Sequence, residues 1–117
     1  VAVRVLSGFR AEVFTEGLSY PTSIEFDESG RVLVAEAGYS YGESSVKPRI
    51  LWVTPHGTKQ TIMEGGPLRG PINDLLWHDG RLYVSHRGRI GVLEHGEFRD
   101  LVTGLPSGGD HQNNQMT

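Results

Sequence analysis

Two stretches of equal length decide the fold: Pro21–Gly38 reads PTSIEFDESGRVLVAEAG, and Pro71–Gly88 reads PINDLLWHDGRLYVSHRG. They align without a gap at an offset of 50 residues, with proline at the start, Gly-Arg at the centre and glycine at the end of both. A shorter match follows, in which Arg49-Ile-Leu-Trp-Val and Arg89-Ile-Gly-Val-Leu each run towards a His-Gly pair. A repeat at this spacing indicates that the chain is built from copies of one supersecondary unit.

Each repeat contains four short strand signals, rich in Val, Ile, Leu and Trp and ending at Gly, Pro or Asp. Asp27–Gly30 and His78–Gly80 are typical of hairpin turns. No segment keeps a 3.6-residue apolar period, so the sequence predicts an all-β chain with almost no helix. The predicted strands are roughly 22–27, 31–36, 49–54 and 59–64 in the first repeat, and 72–77, 81–86, 89–94 and 98–103 in the second.

Units of four antiparallel strands in 40–50 residues are typical of the blades of a β-propeller. A β-sandwich also uses short strands at regular spacing, but the ungapped repeat favours the propeller. We predict full blades at about 21–70 and 71–109, with partial repeats at 1–20 and 110–117. In the partial repeats, Val3–Leu6 is expected to be a third strand, Ala11–Phe14 an outer strand, and His111–Thr117 the start of an inner strand.

A closed propeller usually needs about 4–8 blades, more than this chain supplies. Two or three blades would leave strand edges unpaired. We therefore expect the ring to be completed by oligomerisation, as a trimer or a dimer of this chain, or by the remainder of a longer protein.

Composition narrows the classes of function. A net charge of −3 gives no basic footprint for nucleic acid, and no apolar run approaches the length of a membrane-spanning helix. The absence of cysteine excludes disulfides and thiolate metal sites. The sequence also lacks the HExxH, EF-hand, Walker and GxSxG motifs of common hydrolases and nucleotide-binding proteins. His56 and His95 lie in His-Gly turns and are interpreted as turn residues, not as a metal pair.

The longer connections of the predicted blades would all lie at one end, which makes that end the predicted working face. The stretch Leu105–Gln115 at this end is typical of a functional loop rather than of a structural connection, because a flexible Gly-Gly pair precedes Asp110 and His111. A neutral imidazole can take the proton of a substrate hydroxyl, and Asp110 could fix its tautomer. The connections at this end are 17–22, 37–48, 65–73, 86–89 and 104–112.

The segments Tyr83–Gly88 and Gly104–Gln115 resemble the glucose/sorbosone dehydrogenase family, and Ser23–Gly38 resembles the related NHL-type blades. The resemblance implies a six-bladed β-propeller that uses pyrroloquinoline quinone (PQQ) with calcium, in a periplasmic or secreted setting. It also implies that His111, in the Gly-Asp-His element, is the catalytic base, with Asp110 beside it. In the family the calcium-binding backbone and most quinone-binding basic residues lie further downstream, so no metal ligand is predicted here.

Other residues of the predicted working face are candidates for binding. His86 and Arg87 could contact an anionic cofactor such as a carboxylated quinone, or could form a solvated turn. Tyr39 and Tyr41 could form an aromatic rim for a sugar, or could pack on their own blade. The amides of Asn73 and Gln112 are candidate substrate contacts.

Two functions therefore remain open. The first is oxidation of a sugar alcohol group by hydride transfer to quinone, with His111 as general base. The second is a non-catalytic propeller fragment that assembles with other copies of itself and acts as a binding or structural module. Neither hypothesis predicts nucleic acid or a membrane as a partner.

Overall fold

The computed structural model describes residues 2–38, 46–108, 113 and 115–117. These residues contain eight β-strands and no helix, and therefore no helix long enough to cross a membrane. Each of the eight strands predicted for the two full repeats is present, with its ends within one residue of those expected. The strands are β1 (Pro21–Phe26), β2 (Val32–Glu36), β3 (Arg49–Val53), β4 (Lys59–Glu64), β5 (Ile72–His78), β6 (Arg81–His86), β7 (Arg89–Glu94) and β8 (Glu97–Val102).

The eight strands form two antiparallel sheets, sheet A in the order β1-β2-β3-β4 and sheet B in the order β5-β6-β7-β8. Each repeat of the sequence is therefore one four-stranded meander. The predicted hairpin turns need left-handed backbone, and Gly30, Asp79 and His95 supply it with φ of 76°, 51° and 51°. Asp27 organises the first turn, because its Oδ1 accepts the backbone N–H groups of Ser29 and Arg31, both at 2.9 Å.

The two sheets pack against each other through β1 and β5, with β2 also touching β5. Alternating residues point into this interface, so its core draws Leu33, Ala35 and Ile50 from sheet A and Leu75 and Val84 from sheet B. Trp52 and Trp77 are partly buried against the same core, as expected for strand residues.

Polar side chains of β1 add hydrogen bonds to the backbone of β5. Ser23 Oγ accepts the N–H of Leu75 at 3.1 Å, and Glu25 Oε2 accepts the N–H of Trp77 at 2.9 Å. Thr22 Oγ1 donates to the carbonyl of Ile72 at 2.8 Å. The unpaired edge of β5 is thus hydrogen-bonded by side chains of the preceding repeat.

The strands expected in the N-terminal partial repeat are absent. Residues 2–20 contain no strand, and Val3–Leu6 and Ala11–Phe14 are exposed. Alternating apolar residues form a strand only where a neighbouring backbone can pair with them, and the hydrogen-bonded ladders of both sheets lie within 21–102. At the other end, 113 and 115–117 are also outside any strand, yet Met116 donates its N–H to Asp74 Oδ2 at 2.7 Å. Ser23 and Leu75 make the same type of contact, in which a side-chain oxygen on the first strand of a sheet accepts a backbone N–H from a later segment.

Candidate functional site

The long connections lie together at one end of the sheets, and backbone hydrogen bonds join them. Arg87 donates its N–H to the carbonyl of Arg69 at 3.1 Å, and Leu105 donates to the carbonyl of Gly88 at 3.0 Å. Ile72 donates to the carbonyl of Ala37 at 3.3 Å, which joins the connections of the two sheets. The described parts of these connections form one surface, which we call the loop end.

In both sheets, the side chain of the last residue of the second strand (β2 or β6) hydrogen-bonds to the connection that precedes the first strand (β1 or β5). In sheet A, Glu36 Oε1 accepts the backbone N–H of Ser19 at 2.8 Å. In sheet B, the Nδ1 atom of His86 accepts the backbone N–H of Arg69 at 3.1 Å. Glu36 and His86 are 50 residues apart, and so are Ser19 and Arg69. Two different side chains therefore perform the same structural task.

The ring of His86 is fully buried, and both of its nitrogens have partners. Because Nδ1 accepts from Arg69, the proton lies on Nε2, which donates to Asp100 Oδ1 at 2.8 Å. Phe98 packs edge-on to the ring with centroids 5.5 Å apart. These contacts make His86 an internal anchor for the loop end, and its contact with a cofactor stays a prediction.

The charges around His86 set two pKa values. Burial lowers the pKa of His86 below its ordinary value, although the hydrogen bond to Asp100 acts in the opposite direction. Burial raises the pKa of Asp100, but hydrogen bonds from Arg89 and His86 outweigh it and leave that pKa below its ordinary value. The Arg89 Nη1–Asp100 Oδ2 distance is 2.5 Å. At neutral pH the group is therefore a neutral imidazole beside an Arg–Asp ion pair.

Arg87 occupies the turn between β6 and β7, and its side chain is exposed. Arg69 is also exposed, and the hydrogen bond between the two backbones brings both residues to the loop end. A pair of arginines can bind a carboxylate or phosphate through directed N–H groups. Of the two predicted cofactor residues, Arg87 is the one whose side chain reaches solvent.

Asn113 is a functional candidate that sequence reasoning missed. Its Oδ1 accepts the N–H of Gly88 at 2.7 Å, and its Nδ2 donates to Ser85 Oγ at 2.8 Å and to the carbonyl of Arg89 at 2.9 Å. Its own carbonyl accepts Asn73 Nδ2 at 2.7 Å. Asn113 follows Asn73 by 40 residues, as Arg89 follows Arg49, and that spacing was the signal that could have identified it.

The remaining predicted site residues lie outside the described residues: Tyr39, Tyr41, Asp110, His111 and Gln112. Leu105 and Asn113, which lie before and after residues 110–112 in the sequence, are described, and both hydrogen-bond to Gly88. The Nδ2 of Asn73 donates to the Asn113 carbonyl, and contact of Asn73 with a substrate stays a prediction. Arg87, Asn73, Leu105 and Asn113 are thus brought together at the loop end, whereas His86 is buried.

The opposite end of the sheets carries the tight hairpins, where His56 and His95 are exposed turn residues. Among the described residues, no group of three His, Cys, Asp or Glu side chains could hold a metal ion. The described part of the chain thus supplies backbone anchors, two exposed arginines and amides at the loop end.

Comparison of the chain with models of known protein families and with curated proteins finds no match.

Proposed function

We propose that sheets A and B are adjacent blades of a β-propeller, and that their loop end oxidises a sugar alcohol group with PQQ as the hydride acceptor. The ungapped repeat and the packing of β1 on β5 support the blade assignment, because adjacent repeats then share a continuous core. The reaction is the one implied by the resemblance around His111.

The observation that supports this proposal is that Leu105 and Asn113, which precede and follow the Asp110–His111 pair in the sequence, both hydrogen-bond to Gly88. The Gly88 carbonyl accepts the N–H of Leu105 at 3.0 Å, and its own N–H donates to Asn113 Oδ1 at 2.7 Å. Leu105 and Asn113 are therefore both held at the turn that also carries Arg87. A proton acceptor is effective only when it is held at a defined position near its substrate.

Each residue of the loop end then has a task. His111 takes the proton of the sugar hydroxyl, and Asp110 orients the imidazole. The exposed guanidinium groups of Arg87 and Arg69 would hold the carboxylates of the quinone, which would supply the hydride acceptor when bound. Gln112 and the two tyrosines, Tyr39 and Tyr41, are the proposed sugar contacts. Within the described ranges, no three His, Cys, Asp or Glu side chains lie close enough together to hold calcium.

Titration of the protein with PQQ, with and without calcium, tests the cofactor assignment. We expect a new visible absorbance on binding and a weaker affinity for Arg87→Ala. Arg99→Ala removes an exposed arginine from β8 and is the matched control, with an affinity equal to the unmodified chain. Absence of an absorbance change, or equal effects of the two substitutions, would show that the loop end does not bind the quinone through Arg87.

A second function, a self-assembling module, is favoured by the outer apolar face of sheet A. We define this face by Ile24, Phe26 and Val32 of sheet A together with the adjacent Phe14 of the N-terminal segment, and Ile24 and Phe26 are 66 % and 55 % exposed. Part of it lines a cavity of about 570 Å³, which Trp52 also borders. Trp52 Nε1 is buried with no hydrogen-bond partner among the described residues.

The occupant that we assign to the outer apolar face is a second copy of this chain. Sheets A and B already pack on one another inside the chain through repeated surfaces, so another copy presents the same kind of surface again. Head-to-tail contacts between copies would close a ring of blades and cover these side chains.

A further inference from the structure

Two hydrogen bonds attach β5 to the side chains of consecutive residues of β1. Thr22 Oγ1 donates to the carbonyl of Ile72 at 2.8 Å, and Ser23 Oγ accepts the N–H of Leu75 at 3.1 Å. The carbonyl and the N–H are three residues apart in β5. One donor and one acceptor on β1 therefore fix the position of β5 along it.

The same pair of bonds attaches residues 113 and 115–117, which we call the docked segment, to β5. Asn73 Nδ2 donates to the carbonyl of Asn113, and Asp74 Oδ2 accepts the N–H of Met116, both at 2.7 Å. These backbone groups are again three residues apart. The docked segment therefore lies on β5 as β5 lies on β1.

The outer apolar face of sheet A is built from the positions that sheet B uses to pack on sheet A. Asp74 lies opposite Ser85 in sheet B as Ser23 lies opposite Ala35 in sheet A, and the two opposite residues are 50 residues apart. By the same pairing, the places held in the core by Leu75, Trp77 and Leu82 of sheet B are held in sheet A by Ile24, Phe26 and Val32.

We propose that the outer apolar face of one copy binds the side of sheet B that faces away from sheet A in a second copy, in competition with the docked segment. This inference rests on the second candidate function, self-assembly, and names the surface that the second copy contributes. In β1 the carbonyl of Pro21 and the N–H of Ile24 are three residues apart, as in the docked segment. Asn73 and Asp74 of the second copy hold either pair of groups, one at a time.

The far side of sheet B corresponds to the surface that sheet A presents to sheet B. Sheet A packs on sheet B through residues of its second and third strands, namely Leu33, Ala35 and Ile50. The corresponding residues of sheet B, turned away from sheet A by strand alternation, are Tyr83, Ser85 and Ile90. Tyr83 and Ile90 are half-buried and supply apolar surface for a further sheet.

The docked segment holds its place mainly through polar contacts. Met116 is its apolar side chain and is half-buried, whereas β1 of a second copy brings Ile24 and Phe26, which are 66 % and 55 % exposed. Burial of this larger apolar area favours the second copy, and the tether of the docked segment to its own chain favours the segment. The docked segment should therefore weaken self-association without preventing it.

Light scattering of Met116→Pro over a range of protein concentrations tests this competition. Proline has no N–H, so the docked segment loses its bond to Asp74 and gives way more readily. We expect the concentration at which half of the chains are associated to fall about tenfold, as loss of one hydrogen bond to a carboxylate implies. Thr117→Pro introduces proline at the next, exposed position, keeps the Met116 N–H and should leave that concentration unchanged.

Asn73→Ala combined with Met116→Pro separates competition from general loosening. This double variant loosens the docked segment further but lacks the donor for the Pro21 carbonyl of another copy, so the gain in association should be lost. Amide hydrogen exchange reports on the contact itself. Protection of the Ile24 N–H should increase with protein concentration, because Asp74 of another copy accepts it.

The possible failures can be told apart. Equal association of Met116→Pro and the unmodified chain, in a protein that Phe26→Asp converts to the monomer, would overturn this inference and leave self-assembly standing. Stronger association without protection of the Ile24 amide would also overturn it, because the contact would then lie on another surface. Monomers in every variant at all concentrations would overturn self-assembly itself, and this inference with it.

Discussion

His86 and Glu36 show how two unlike side chains meet one structural requirement. Each ends the second strand of its sheet, is almost completely buried and accepts a backbone N–H from the connection before the first strand. Glu36 is neutralised by Arg49, whose Nε lies 2.6 Å from Oε2. His86 accepts its backbone N–H as a neutral ring and needs no such counter-ion. It therefore introduces a titratable group into the core.

The stability of the protein should therefore depend on pH through His86. Burial lowers the pKa of His86 below 6.5, so as the pH falls the unfolded chain binds a proton before the folded chain does. The free energy of unfolding is thus highest above about pH 6.5 and decreases as the pH falls below that value. Urea unfolding measured across this range should show the decrease, and His86→Gln should reduce it; an equal decrease in that variant would assign the effect to other groups.

Gly91 is required by the packing around His86. A Cβ on Gly91 would overlap Cζ of Phe98, the ring that packs edge-on to His86. Gly91→Ala should lower the free energy of unfolding by about 1–3 kcal/mol, the usual cost of overpacking a core. Gly108→Ala is the control, because its Cβ would meet no atom within 4 Å. Equal unfolding midpoints for the two variants would contradict this role of Gly91.

At the scale of elements, hydrogen bonds from β1 to β5 attach one sheet to the other. Ser23 takes part twice, accepting the N–H of Leu75 at 3.1 Å and donating to Asp74 Oδ1 at 2.9 Å. Within the described strands the two sheets share no backbone ladder, so side chains of β1 join them by hydrogen-bonding to β5.

Ser23→Ala should destabilise the protein by about 1–2 kcal/mol, because it leaves the Leu75 N–H without its acceptor. Ser29→Ala removes an exposed hydroxyl from the first hairpin turn and should change the unfolding midpoint little. Chemical unfolding of both variants measures the difference. A loss in Ser29→Ala as large as that in Ser23→Ala would mean that the bond between sheets contributes nothing specific.

The sequence predicted the elements well and their tertiary partners poorly. Strand positions followed from local signals, namely alternation, the repeat and turn residues such as Gly30 and Asp79. The N-terminal strands were wrong because pairing depends on a distant backbone that alternation does not reveal. Asn113 was missed for the same reason, since its partners Ser85 and Gly88 lie 28 and 25 residues away. The predicted gathering of the connections at one end is confirmed for their described parts.

At the scale of the whole molecule, the outer apolar face of sheet A should promote self-association if the second candidate function holds. Light scattering after size exclusion should then give two or three times the chain mass of 12.9 kDa. Phe26→Asp should shift the protein to the monomer, because it places a charge on this face. His95→Asp places the same charge in the exposed turn between β7 and β8, away from both faces of the sheets, and should leave the mass unchanged. A strictly monomeric unmodified chain at all concentrations would exclude ring assembly.

The central claim is that the loop end oxidises sugars with His111 as the base, and a dye-linked oxidation assay with PQQ, calcium and an aldose tests it most directly. The account predicts dye reduction by the unmodified chain and a rate lower by about 10²–10⁴-fold in His111→Ala, the usual contribution of a general base. His95→Ala changes an exposed histidine at the opposite end and should retain full activity. No dye reduction by the unmodified chain, or equal rates in the two variants, would contradict the claim.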